Sequence, residues 1–220
     1  MWAGAIDEIV PITDHVSYQQ QLIDHGYRHE LDNFPINDHL LFALLNEFGP
    51  GKEFLDGTTT ERNPRHVTYR RVPEFDNTEF GLTHDKVHWI SDIQVADDVT
   101  RGLVDIRSRG HGEAPPIPEE YRGPGTEPKP HVKRGIRWLE GLKNPAAKNR
   151  LEVSLEGVDS VTVRTEKARL DVTRPITLEI DTTTSATITL VSGAGSVDVD
   201  VLAGETERTV TLCEARAQAP

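Results

Sequence analysis

Two residues stand where acid–base chemistry can be assembled. Asp7 lies in Gly4-Ala5-Ile6-Asp7-Glu8-Ile9-Val10-Pro11, and His39 closes Phe34-Pro35-Ile36-Asn37-Asp38-His39. A carboxylate beside an imidazole fixes its tautomer and stabilises the imidazolium that forms when the ring takes a proton. The 32 residues between them suit one helix, one strand and two loops. If Asp7 ends one strand and His39 follows the next, a parallel pairing places both at the same sheet edge. The other histidines do not suggest a metal centre. His84 and His88 sit beside a predicted strand, where residues four apart lie about 13 Å from each other. His25 and His29 flank a glycine turn, and His111 sits between Gly110 and Gly112 in a Pro/Gly-rich stretch. Asp198 and Asp200 read as the wet face of a strand. No metal site and no cofactor are expected.

The elements that must position Asp7 and His39 occupy residues 1–56. Ala3 to Pro11 reads as a strand end running into a loop. Asp14 is the expected N-cap of a helix carrying Val16, Gln19, Gln20, Leu22 and Ile23, stopped by Gly26. Tyr27 to Phe34 alternates as a second strand, closed by Pro35. Asp38 is positioned to cap a second helix with Leu40, Leu41, Leu44, Leu45 and Phe48 on its apolar face, terminated by Gly49-Pro50-Gly51. Residues 57–64 read as a linker. From 65 to 220 the pattern is β, with strands expected at 66–72, 86–95, 102–107, 150–155, 160–164, 168–173, 176–182, 186–191, 197–201 and 207–212. Alternations such as Val197, Val199 and Val201 against Asp198 and Asp200 predict an antiparallel, sandwich-like domain with one packed face. Six of the 14 prolines fall within 109–131, which reads as a surface loop. The expected fold class is thus an α/β segment followed by an all-β sandwich-like domain.

The two motifs, in this order and spacing, resemble the C-terminal end of an α/β-hydrolase catalytic domain, more narrowly that of prolyl-oligopeptidase-like serine hydrolases. Asp7-Glu8-Ile9-Val10-Pro11, the Gly26-Tyr27 pair before the next strand and His39 in a Pro-x-x-Asp-His pattern carry the likeness over about 50 residues. Arg62-Asn63-Pro64-Arg65-His66-Val67-Thr68-Tyr69, and Gly81-Leu82 followed by Asp85, Trp89 and Ile90, resemble the β-rich extension of some such enzymes. The resemblance implies hydrolysis of an ester or peptide bond through an acyl-enzyme. Asp7 would orient His39, and His39 would act as general base and then general acid. It also implies a nucleophilic serine upstream of the acid. No Gly-x-Ser-x-Gly elbow occurs here, and Ser192 and Ser196 flank a β turn. The expectation is therefore the C-terminal portion of a hydrolase, inactive by itself.

Composition sets the remaining bounds. Acidic residues number 36 against 24 basic ones, for a net charge of −12, which argues against a nucleic-acid partner. No apolar run approaches the length of a membrane-spanning helix, and the first residues do not form a signal peptide. The single cysteine, Cys213, excludes a disulfide framework. Expected partners are an ester or peptide substrate of the complete enzyme, an N-terminal hydrolase chain acting in trans, or a second copy of this chain through residues 38–48. A rival reading makes the β domain a non-catalytic binding module.

Overall fold

A computed structural model describes residues 1–44, 49–127, 129–139, 143–193 and 195–212, with residues 41–43 and 50 described in their backbone alone. In chain order the elements are β1 (Trp2–Gly4), α1 (Ile12–Asp24), β2 (His29–Phe34), α2 (His39–Leu44), α3 (Gly49–Asp56), β3 (His66–Arg71), β4 (Ile90–Val95), β5 (Gly102–Ser108), β6 (Ile117–Gly125), β7 (His131–Leu139), β8 (Arg150–Glu156), β9 (Val158–Arg164), β10 (Ile176–Thr182), β11 (Ala186–Ser192), β12 (Gly195–Val201) and β13 (Gly204–Val210). The described residues are mostly β, with three sheets that each mix parallel and antiparallel pairs. This corrects the expected α/β segment followed by an antiparallel sandwich-like domain. The chain divides into two compact units, Met1–Thr60 with Ala114–Lys143 and Glu61–Glu113 with Asn144–Pro220.

The first unit carries a four-stranded sheet in the order β1-β2-β7-β6. β1 and β2 run parallel, joined by α1, while β7 pairs antiparallel with β2 and β6 with β7. Half of this sheet therefore comes from residues read as a loop and its surroundings. Pro118 and Pro124 lie in β6, which is an edge strand, where a missing N–H costs no ladder bond. In β7, Gly135 faces the backbone of β2 so closely that a Cβ would sit 2.0 Å from the His29 carbonyl oxygen. Among the described residues its buried apolar side chains are Ala3, Leu31, Phe34 and Ile136. Gln19 of α1 is buried and donates from Nε2 to the Arg134 carbonyl at 3.2 Å, tying the helix to β7.

Two local expectations change. Pro11 holds the N-cap position of α1 without a side-chain bond, and Asp14 lies inside its first turn. Gly49-Pro50-Gly51 opens α3 instead of ending a helix, since proline is tolerated in a first turn. A Cβ on Gly51 would meet the Trp2 ring at 1.7 Å, so glycine is required where α3 passes that side chain. α2 is capped by Asp38, whose Oδ1 accepts the Leu40 amide at 3.0 Å. Residues 45–48 of the expected helix, and the side chains of Leu41, Leu45 and Phe48, lie outside the described residues. Leu40 and Leu44 are exposed.

The second unit holds a five-stranded sheet, β13-β10-β8-β5-β3, and a four-stranded one, β12-β11-β9-β4. Successive strands alternate between sheets: β8 and β10 lie in one, β9 and β11 in the other. Strands of like direction thus become neighbours, and β8–β10 and β9–β11 pair in parallel. Side chains from both sheets share one core that includes Trp89, Ile106, Leu151, Ile176, Leu178, Ile188 and Leu190. The indole N–H of Trp89, fully buried, donates to the Pro64 carbonyl at 2.7 Å. The strand expected at 168–173 is a turn. Arg169 has a φ of 56°, and Asp171 Oδ1 accepts the Thr173 amide at 3.0 Å, a local closure that competes with extended pairing.

Candidate functional site

β1 and β2 end side by side because they run parallel, with Gly4 opposite Phe34. Their following loops stay together: the Ala5 amide donates to the Phe34 carbonyl at 2.9 Å and the Ile6 amide to that of Asn37 at 3.3 Å. A Cβ on Gly4 would lie 2.2 Å from the Asn37 oxygen, so this approach requires glycine. The paired loops set Asp7 and His39 against one another. Asp7 Oδ1 accepts the amides of Ile9 at 2.9 Å and Val10 at 2.8 Å, an Asx-turn that fixes the carboxylate plane. Its Oδ2 is thereby presented to His39 Nδ1 at 3.0 Å. His39 is the first residue of α2, so the Asp38 cap that starts the helix also places the ring.

The two side chains differ in exposure, 4% for Asp7 and 46% for His39. The backbone bond from Val10, with those from His39 and Ile9, holds the Asp7 carboxyl below its ordinary range. An ionised Asp7 accepts the Nδ1 proton of His39, which leaves Nε2 as the basic nitrogen on an accessible ring. Such a pair can take a proton from a nucleophile and return it to a leaving group.

No protein-family model, curated protein or solved structure matches this chain.

The sheet of the first unit also carries a partly buried polar network. Tyr121 donates its hydroxyl to Glu30 Oε2 at 2.6 Å, and Lys133 Nζ reaches Glu30 Oε1 at 3.3 Å. Burial, then the bond to Glu30, pushes the Tyr121 phenol up. Asp32 is buried beside His131, whose Nε2 lies 3.4 Å from Asp32 Oδ1 and whose ring stacks on Phe34. Burial raises Asp32 to about 6, with Glu30 adding repulsion.

Sequence spacing missed a second cluster, inside the other unit. The ligand-capable atoms of Glu61, His111 and Glu113 all lie within 4.8 Å of one another. Only the i, i+2 relation of His111 and Glu113 hinted at it, and Glu61 is fifty residues away. His84 and His88 do not join into a cluster: His84 faces Asp76 at 3.5 Å, and His88 Nδ1 faces the Arg62 carbonyl at 3.1 Å. Asp198 and Asp200 accept the hydroxyls of Thr189 and Thr187, each at 2.8 Å, on the wet face of β12. Trp138 is half-exposed and donates to the Gly26 carbonyl at 2.9 Å.

Proposed function

We propose that this chain supplies the acid and the histidine of a serine-hydrolase triad, and that it works on ester or peptide bonds together with a nucleophilic serine outside these 220 residues. The observation that carries the proposal is the Asp7–His39 hydrogen bond at 3.0 Å, built at the common edge of two parallel strands. In this reading Asp7 orients His39 through Nδ1. Nε2 takes the serine proton during acylation and delivers it to the leaving group, and the same exchange with water releases the acyl group. A second feature supports it. The two loops and the helix that carry the pair expose Ile6, Ile9, Ile36, Leu40 and Leu44. Apolar side chains concentrated around a polar pair suit a surface that docks on further protein bearing the nucleophile.

The test joins the chain to a segment bearing a Gly-x-Ser-x-Gly elbow, sought in the neighbouring reading frames, and assays hydrolysis of p-nitrophenyl esters and peptide anilides with fluorophosphonate labelling. The chain alone is expected to be inactive and unlabelled. The joined protein should hydrolyse substrate and lose about 10³-fold or more of kcat in His39→Ala and in Asp7→Asn. Activity that ignores both substitutions, or a joined protein that does not react with the probe, would overturn the proposal.

A further inference from the structure

We infer that Glu61, His111 and Glu113 form a binding site for one divalent transition-metal cation. This site belongs to the second unit and does not rest on the hydrolase reading.

His111 carries the argument beyond a cluster of acids. Its side chain is fully buried, and neither ring nitrogen has a hydrogen-bond partner among the described residues. A buried imidazole without a hydrogen-bond partner is costly, and a bound ion is one way to satisfy its lone pair. The ring faces carboxylates: Nδ1 lies 4.0 Å from Glu113 Oε1, within the three-residue group. Its position is held by two glycines. A Cβ on Gly110 would sit 2.2 Å from the Arg169 carbonyl oxygen, and Gly112 takes a φ of 60° against residues 145–147. The Ser108 hydroxyl donates to the Ala168 carbonyl at 2.5 Å and accepts the Gly110 amide at 3.1 Å, which pins the same turn.

The donor set fits the ion class. One imidazole and two carboxylates suit zinc or manganese and are poorly matched to soft ions that seek thiolates. Metal–ligand distances of about 2.0–2.2 Å place ligand atoms about 3.4 Å apart. Ion binding requires the two glutamate side chains to rotate and close the 4.8 Å span to that distance around buried His111. Arg169 draws the two acids together, and a cation bound there would displace its guanidinium. That guanidinium bonds Glu113 Oε1 at 3.2 Å and approaches Glu61 Oε1 at 3.5 Å. Three protein ligands leave at least one position for water, and the metal would tie the start of the second unit at Glu61 to the 109–113 turn.

The full chain, stripped with a chelator, is titrated with Zn²⁺ by calorimetry and scanned for thermal unfolding. One Zn²⁺ per chain is expected, with a Kd of about 10 μM or tighter and a raised Tm. Glu61→Gln, at an exposed position, should weaken binding at least tenfold while leaving the metal-free Tm unchanged. The Glu61→Gln/Glu113→Gln pair should remove the event. No saturable uptake below about 1 mM, or uptake indifferent to both variants, would overturn the site and place any bound zinc on other histidines.

Discussion

Asp7 spends one oxygen on its own loop and offers the other to His39. That division makes the carboxylate an orienting group, and it predicts a spectroscopic signature. At pH 8.5, long-range ¹H–¹⁵N NMR should show His39 as the Nδ1–H tautomer. Asp7→Asn should abolish that preference, because its side-chain amide can turn a donor towards the ring. An Nε2–H tautomer in the unaltered chain would contradict the arrangement. The two buried-side carboxyls, Asp7 and Asp32, respond to pH in opposite directions. Asp7 lies below its ordinary value of 3.8, so its contribution to stability is present above that value and is lost as pH falls through the folded-state value. Asp32 is raised from 3.8 to about 6 by burial, against the pull of Lys133, His131 and the Met1 amino group. The folded chain holds that proton more tightly than the unfolded one. Its contribution is therefore full below about pH 4 and is lost as pH rises through 6. Asp32→Asn should accordingly raise the urea midpoint relative to the unaltered chain at pH 7.5, with the gain vanishing towards pH 4. An equal effect at both pH values would mean that shape, not charge, governs this position.

At the scale of elements, the alternating runs were readable because one face of each strand is packed. Ile176, Leu178 and Ile180 are buried, and Asp198 and Asp200 point to partners on the wet face. The spacing between Asp7 and His39 was readable for a related reason: a short crossover helix leaves parallel strands few ways to end. Pairing partners were not readable. Nothing local in β8 or β10 says that they are neighbours, since the choice depends on β9 and β11 leaving for the other sheet. Prolines hid β6, because their cost depends on whether a strand is central or at an edge, which only the finished sheet decides. Gly135 is the residue that seats β7 and, through it, β6. Gly135→Ala would press a methyl group into the His29 carbonyl. Hydrogen exchange should then show lost protection across 131–139 and 117–125, while β8 to β11 keep theirs. Uniform loss in both units, or no change, would reject that role.

For the whole molecule, the contrast between the two units decides what can stand alone. Among the described residues the first has four buried apolar side chains around a polar network, whereas the second has one core drawn from both of its sheets. Residues 114–143 leave the second unit and return to it near their point of departure. The Lys148 amide donates to the Arg109 carbonyl at 3.0 Å, and a Cβ on Gly112 would be 3.1 Å from the Ala147 nitrogen. The gap between Glu113 and Asn144 is therefore short enough for a few glycines, and closing so small a loop costs little entropy. A chain of residues 61–113 joined by two or three glycines to 144–220 should fold cooperatively without residues 1–60 and 114–143. Trp2 and Trp138 are removed with those segments, so Trp89 is the one tryptophan left to report. Its buried indole, bonded to the retained Pro64, should emit in the blue and shift red in a single urea transition. In that background Leu178→Ala should destabilise by about 2–5 kcal/mol, since it opens a cavity in the shared core. Emission typical of solvated indole before any urea is added would show that the second unit needs the first to fold.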